Sequence, residues 1–415
     1  MAVSYETLDQ PFSGSLKRAL RRSERWRRFR ALGLAAPLLL FIAVTFLFPI
    51  GVLLRNAVYS PELADNLPRT VAALKHWDGR GVPGDQAFAA LAADLKEAAE
   101  NRTLALIGKR LNYADPGMRS LIMDTGRAAA EMRDGSRKET FLARDPRWGE
   151  RETWARIAQA AGPYTPYFLL AALDLKQDVN GDIVQVSSDQ AIFIDILART
   201  LWISALVTVL CLVLGYPVAY LLASVPPRLA NRLMFFVLLP FWTSLLVRIV
   251  AWIVLLQREG VVNSVLRFLG AIDRPLDLVY NLTGVLIAMT HILLPFMILP
   301  IYSVMKGISP SYMRAAASLG ANPLIAFIRV YLPQTIPGLG AGCLLVFILA
   351  VGYYIAPALV GGPHDQMVSY FIAQYTNVSI NWGMASALGA ILLVIVMLLY
   401  LVYNRLVGID RMRLG

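Results

Sequence analysis

Six long apolar runs, 32–54, 201–222, 233–256, 282–304, 339–360 and 383–407, decide most of what this chain can fold into. Each is roughly 20 residues or more, enough for a helix to cross about 30 Å of hydrocarbon. No water reaches that depth, so every backbone N–H and C=O must find its partner within the protein, and a single run achieves this only as a helix. With 57% hydrophobic residues, 16% charged residues and a mean hydropathy of +0.55, the chain lies outside the range of soluble domains. The expected fold class is an all-α membrane protein with six transmembrane helices and a soluble helical insertion between the first and the second.

The net charge of +11 is a matter of orientation. Short loops 223–232 and 305–338 carry Arg228, Arg232, Lys306, Arg314 and Arg329 and no acid, whereas 257–281 is balanced and 361–382 has no Lys or Arg. Under the positive-inside rule the first pair is cytoplasmic, and six spans then leave both termini in the cytoplasm. The organisation reads as a basic cytoplasmic N-terminus (1–31), transmembrane helix 1 (32–54), an extracytoplasmic, periplasmic insertion (55–190) and a core with five transmembrane helices (191–415). Arg18, Arg21, Arg22 and their neighbours anchor topology against membrane lipid and imply no nucleic acid. The run after them is too long for a signal peptide and lacks an A-x-A exit, so it stays as a span. Cys211 and Cys343 lie inside spans as apolar fillers, and no metal site or disulfide is expected.

The insertion has ordinary soluble composition. Helices are expected over 85–100, 116–132 and 148–161, with Gly79, Gly81 and Gly84 marking turns. His76 and the scattered acids form no acid/base or metal constellation, so a solvated helical cap is the reading; docking of an extracytoplasmic partner follows from position alone.

The segment 309–332 carries more information. Ser309 before Pro310 is a helix start, 312–319 is good helix former, and Gly320 is placed to end it in a left-handed conformation. Asn322 and Pro323 repeat the start signal, and the second helix is expected to stop near Leu332 because Pro333 follows. Ala315, Ala316 and Ala317 keep one face small. No G-x-x-x-x-G-K-[ST] occurs, since Gly108-Lys109 lacks the upstream glycine and the following hydroxyl, so ATP hydrolysis is assigned to another chain and this one is expected to be no enzyme.

This segment resembles the coupling loop of ABC importer permeases, E-A-A-x-x-x-G followed by I-x-L-P or a close variant, through Ala315, Ala316, Gly320, Ala321 and the V-Y-L-P that ends at Pro333. Arg314 stands where that family carries Glu. The stretches 238–266, 290–305, 352–362 and 367–382 are similar to permeases of the spermidine/putrescine branch. The resemblance implies an ABC type I importer bundle in the bacterial inner membrane and a small solute, polyamine favoured, brought by a periplasmic binding protein. It also implies an ATPase dimer that binds ATP and Mg and docks on 309–332, and a second permease subunit, homologous or identical. Relatives of this type also move iron, phosphonates, opines and amino-acid derivatives. A membrane-anchored sensor or enzyme is disfavoured because six spans exceed an anchor's need, and a proton-coupled transporter because intramembrane acids are absent.

Candidate pathway or gate residues are Trp242, Ser244, Arg248, Trp252, Tyr353 and Tyr354. Arg248 is a cation inside a span, which must face protein or water, and the aromatic residues can stack on a cation or pack. A like charge repels a cationic solute at low dielectric, so Arg248 gates if the cargo is a polyamine and binds if it is anionic or zwitterionic. His291 reads as a hydrogen-bonded histidine. Pro240, Pro295, Pro300 and Pro357 are expected to kink their helices.

Overall fold

The computed structural model describes residues 33–131 and 137–407. The expectations for 1–31 and for the tail 408–415 lie outside the described residues. The chain divides after Arg55 into two units. Helix α1 (Gly33–Asn56) makes up the described part of the first. It contains a π turn over Ala43–Leu47, closed by the Phe48 N–H on the Ala43 carbonyl, and Pro49 follows at once. A proline lacks the helical donor and crowds the carbonyl one turn back; the wider turn ahead of it lets the helix continue.

The insertion folds as α2 (Glu62–Asn66), α3 (Pro68–Leu74), α4 (Asp85–Glu100), α5 (Leu104–Ala114), α6 (Met118–Glu131), α7 (Arg137–Arg144), α8 (Arg151–Ala160) and α9 (Tyr167–Ala171). A small antiparallel hairpin, β1 (Leu175–Gln177) and β2 (Ile183–Gln185), follows and had no clear signal in the sequence. Helix α4 has the expected bounds because Phe88, Leu91, Ala92, Leu95 and Ala98 recur at helical spacing and all are buried. The third expected helix begins later: Trp148 belongs to a 3-10 turn, Pro146–Gly149, and α8 starts at Arg151. That turn is capped by Asp145, whose carboxylate accepts the Arg147 N–H at 3.0 Å. Hydrogen bonds from the Arg147 side chain hold the Asp145 carboxyl below its usual range.

The insertion's core is aromatic. Phe88 meets Trp154 at 4.7 Å and Phe141 at 5.7 Å, and Trp148 joins Phe141 at 5.2 Å. Both indoles stay satisfied, Trp148 Nε1 donating to Thr125 Oγ1 and Trp154 Nε1 to the Trp148 carbonyl, each at 3.0 Å. Two carboxylates cap helices to which they do not belong. Asp94, in α4, accepts the Thr70 N–H and hydroxyl of α3, each at 2.7 Å. Asp174 accepts the backbone N–H groups of Ile192, Phe193 and Ile194 at 3.0, 3.0 and 2.7 Å. These are the first donors of the 32-residue helix α10 (Phe193–Ser224), whose own N-cap supplies no side-chain acceptor.

After α10 come α11 (Pro227–Leu238), α12 (Leu245–Leu256), α13 (Val261–Phe268), α14 (Leu282–Gly307), α15 (Ser311–Ser318), α16 (Pro323–Val351), α17 (Ile355–Val360), α18 (Val368–Asn377) and α19 (Trp382–Val407). Helix α14 is the centre: Val285, Met289, Met297 and Ile301 are fully buried between α10 and α16. Glycines set the approach. A methyl group added at Gly338 would stand 3.0 Å from the Pro300 carbonyl oxygen, one at Gly342 3.1 Å from that of Met297, and one at Gly215 3.1 Å from the Met297 side chain. Gly338 and Gly342 form the small-xxx-small pattern of close-packed membrane helices.

Five described helices are long and apolar enough to span, six if the bent pair is counted as one. The run 233–256 is not one straight helix: Pro227–Trp242 and Leu245–Phe268 meet at 97°. Pro240 sits in a 3-10 turn, Leu239–Trp242, and Thr243 is extended, so the intrahelical ladder ends there. The run 339–360 is likewise divided; α16 ends at Val351 and α17 is separate. The second helix of 309–332 does not stop near Leu332, because a π turn over Phe327–Tyr331 carries α16 past Pro333 as it does before Pro49. Helix α14 runs through Pro295 and Pro300 without a break.

Asp174→Ala leaves three donors at the start of α10 uncapped and is expected to cost about 1–2 kcal/mol, read as a lower thermal unfolding midpoint of the purified chain in detergent. The Asp145 contribution is present above the carboxylate's unfolded pKa of about 4 and lost as pH falls through its lowered folded value, so acid should release 145–150 first in hydrogen exchange.

Candidate functional site

Two regions gather the candidate residues. The first surrounds the break between α11 and α12. Trp242 is 70% exposed and packs edge-on against Phe235 at 4.9 Å, and Ser244 is exposed at the start of α12, with no side-chain cap. Arg248 lies one turn beyond the break rather than deep in a straight span, its N–H bonded to the Ser244 carbonyl at 3.1 Å. Its Nε is buried and has no hydrogen-bond partner among the described residues.

Trp252, one turn further along α12, donates from Nε1 to His291 Nδ1 at 3.1 Å. This bond leaves the imidazole proton to Nε2 and ties α12 to α14. Trp252 and His291 therefore come together one turn from Arg248, and Tyr353 packs against the same buried core as Trp252. Tyr354 turns to Tyr370 of α18, ring centres 6.3 Å apart, while Trp242 and Ser244 stay at the break. Beside the cluster an open groove of about 490 Å³ is lined by Leu210, Leu214, Leu286, Thr290, His291 and Trp252. The Thr290 hydroxyl is buried there with no partner among the described residues, a feature no sequence pattern announced.

The second region is the helical loop 309–332. Ser309 Oγ accepts the Ser311 N–H at 3.3 Å and opens α15, and Asn322 Oδ1 accepts the Leu324 N–H at 3.0 Å and opens α16. Between them Gly320 has φ +81, as its sequence position demanded. The Gly320 N–H bonds to the Ala317 carbonyl and the Ala321 N–H to the Ala316 carbonyl, each at 3.0 Å, which completes a Schellman motif. Ala316 is buried against the second helix, while Arg314, Ala315 and Pro333 are exposed. Leu319 projects at 89% exposure, with Tyr312, Leu324 and Ile328 also exposed. An apolar tip flanked by Lys306, Arg314 and Arg329, and no acid, is chemically suited to a partner groove with acidic edges.

An aromatic cluster that the sequence reading missed holds this loop to α10. Phe327 and Tyr331 stack at 5.6 Å, and Tyr220 meets each edge-on at 5.5 Å. Tyr216 Oη and Thr335 Oγ1 lie 3.4 Å apart beneath them. The signal was two aromatic pairs at i, i+4, Tyr216/Tyr220 and Phe327/Tyr331.

A bundle of long apolar helices, one of them broken beside a half-buried cation, with an exposed helical loop tied to it, has the architecture of a multi-pass membrane protein. The family model described as "Binding-protein-dependent transport system inner membrane component" matches residues 194–410, and the chain belongs to that family. It is 36% identical over 215 residues to the spermidine/putrescine transport system permease protein PotB of Escherichia coli (strain K12), covering 52% of this chain and 78% of the relative. It is 37% identical over 218 residues to PotB of Haemophilus influenzae, covering 52% and 76%. It is 33% identical over 227 residues to the inner membrane ABC transporter permease protein YdcU of Escherichia coli (strain K12), covering 52% and 72%. The chain is thus the permease subunit of an ABC importer, a multi-pass inner-membrane protein, as the resemblance in 309–333 implied. The insertion precedes the matched region.

Trp252→Phe keeps the ring and removes only the donor to His291. A loss of about 0.6 kcal/mol, the usual worth of a hydrogen bond between membrane helices, is expected in thermal unfolding.

Proposed function

We propose that this permease carries a polyamine of the spermidine or putrescine kind into the cell. The carrying observation is the 36% identity over 215 residues to a spermidine/putrescine permease of which the match covers 78%. A periplasmic binding protein delivers the solute, and a separate ATPase dimer, holding ATP and Mg, supplies the work. A second permease subunit completes the path. The basic short loops support cytoplasmic termini and a periplasmic insertion.

In this reading the loop 309–332 is the coupling element. Closing the ATPase dimer pushes on the exposed Leu319 tip; the Schellman corner keeps α15 and α16 at a fixed angle, and the Phe327–Tyr331–Tyr220 stack passes the displacement to α10 and α14. Rocking of these helices alternates access to the cluster around Arg248. Arg314, where the family pattern carries Glu, either meets a compensating acidic residue on the ATPase or is a tolerated variation. A polyamine passing Arg248 meets a like charge, which makes that residue a gate that delays cations until the bundle opens.

A second reading, in which the same transporter type takes an anionic or zwitterionic solute, draws its support from the buried Nε of Arg248, which has no partner among the described residues. ATPase activity of the reconstituted complex with its binding protein separates the two. Stimulation by spermidine or putrescine alone supports the first; stimulation only by anionic or zwitterionic metabolites sinks it and makes Arg248 a ligand. Arg314→Glu should lower solute-stimulated turnover about tenfold if it meets an acid, a burden typical of a like-charge contact at an interface.

A further inference from the structure

The insertion grips the turn that opens the last span. Lys109, near the middle of α5, donates from Nζ to the carbonyls of Ser379 and Ile380, each at 3.0 Å. Those residues lie in the turn between α18 and α19, and Ile380 there has φ +48. A β-branched side chain is strained in that region, and such a conformation persists only where its surroundings impose it. The turn is also held by shape. Phe168 of α9 fills the space over Gly383 so closely that a Cβ at that position would collide with its ring. Asn381 fixes the helix start, its Oδ1 accepting the Met384 N–H at 3.1 Å.

From the turn, contacts lead back to the cluster around Arg248. The Val368 N–H at the head of α18 bonds to Thr200 Oγ1 of α10 at 2.9 Å, and Ser369 Oγ donates to the Val351 carbonyl at the end of α16 at 3.2 Å. Two residues beyond Val351 stands Tyr353, which packs against the same buried core as Trp252. Tyr354 meets Tyr370 of α18.

We propose that Lys109 is a positioning residue for transport: by clamping the strained turn at Ser379 and Ile380 it makes the conformation of α18 and α19 depend on the insertion, so that a load on the insertion is felt at the gate. A strained turn held from another element has a second state available, Ile380 at negative φ with the clamp released, and equilibrium between the two is what coupling requires. The inference rests on the importer reading and adds to it a role for a segment outside the matched family region.

Lys109→Met keeps the aliphatic stem and removes the donors. In the reconstituted complex, stimulation of ATPase activity by solute-loaded binding protein is expected to fall about fivefold or more, the low end of ordinary coupling between sites, with basal activity unchanged. Lys109→Arg should restore it. In Lys109→Met/Ile380→Gly, where the turn is no longer strained, stimulation should partly return. Hydrogen exchange of the full chain in lipid nanodiscs gives an independent readout, with amides of 378–385 exchanging faster in Lys109→Met and not in Lys109→Arg. Stimulation equal to wild type, an equal fall of basal and stimulated activity, or unchanged exchange at 378–385 overturns the clamp. If no loaded binding protein stimulates the wild-type complex, the importer reading fails, and the exchange measurement still decides whether the clamp exists.

Discussion

Everything in the bundle depends on how closely α14 can approach α10 and α16. In lipid, apolar side chains gain little by leaving the solvent for one another, so helices associate through close packing and through the hydrogen bonds that packing brings into range. Gly215, Gly338 and Gly342 supply the closeness, with Met297 and the carbonyls of Met297 and Pro300 lying where side chains would otherwise stand. That approach places His291 on α14 within reach of Trp252 on α12, and so positions the Arg248 cluster. It also sets the base on which the aromatic stack supports the helical loop.

The devices at the ends of the helices share one physical theme, unsatisfied backbone groups answered from a distance. Asp174 caps α10 across a loop, Asp94 caps α3 from α4, and Lys109 answers two carbonyls before α19. Each joins elements that a local view would leave independent. The insertion is therefore wired to the helices that follow it at the head of α10 and at the head of α19.

Prolines divide the spans into rigid and adjustable parts. Where a π turn precedes them, at Pro49 and Pro333, the helix continues. At Pro240 the ladder stops, and the chain turns by 97° one turn before Arg248. A straight helix would have held that cation rigidly at mid-span; the break gives it a short segment of its own, joined to the rest through Trp252.

Four of the six spans, the class of fold, helix α4 and the Ser309, Gly320 and Asn322 signals of the loop were legible in the sequence, because apolar length, 3.6-residue periodicity and caps are local. The site was legible only in part. Arg248, Trp252 and Tyr353 stood out as residue types, but the Trp252–His291 bond, the placement of Trp242 and Ser244 at the break, and the Thr290 hydroxyl that has no partner among the described residues depend on helix rotation and crossing. Pro240 bends its helix as expected, whereas Pro333 does not end one, since the outcome depends on whether neighbouring packing tolerates a widened turn. What the sequence by itself determined is which segments enter the membrane and where the loop bends, properties of single segments in a given solvent. What only the tertiary structure decided is which distant group satisfies each helix end and which side chains meet between α12 and α14, because those follow from the approach of helices far apart in the chain.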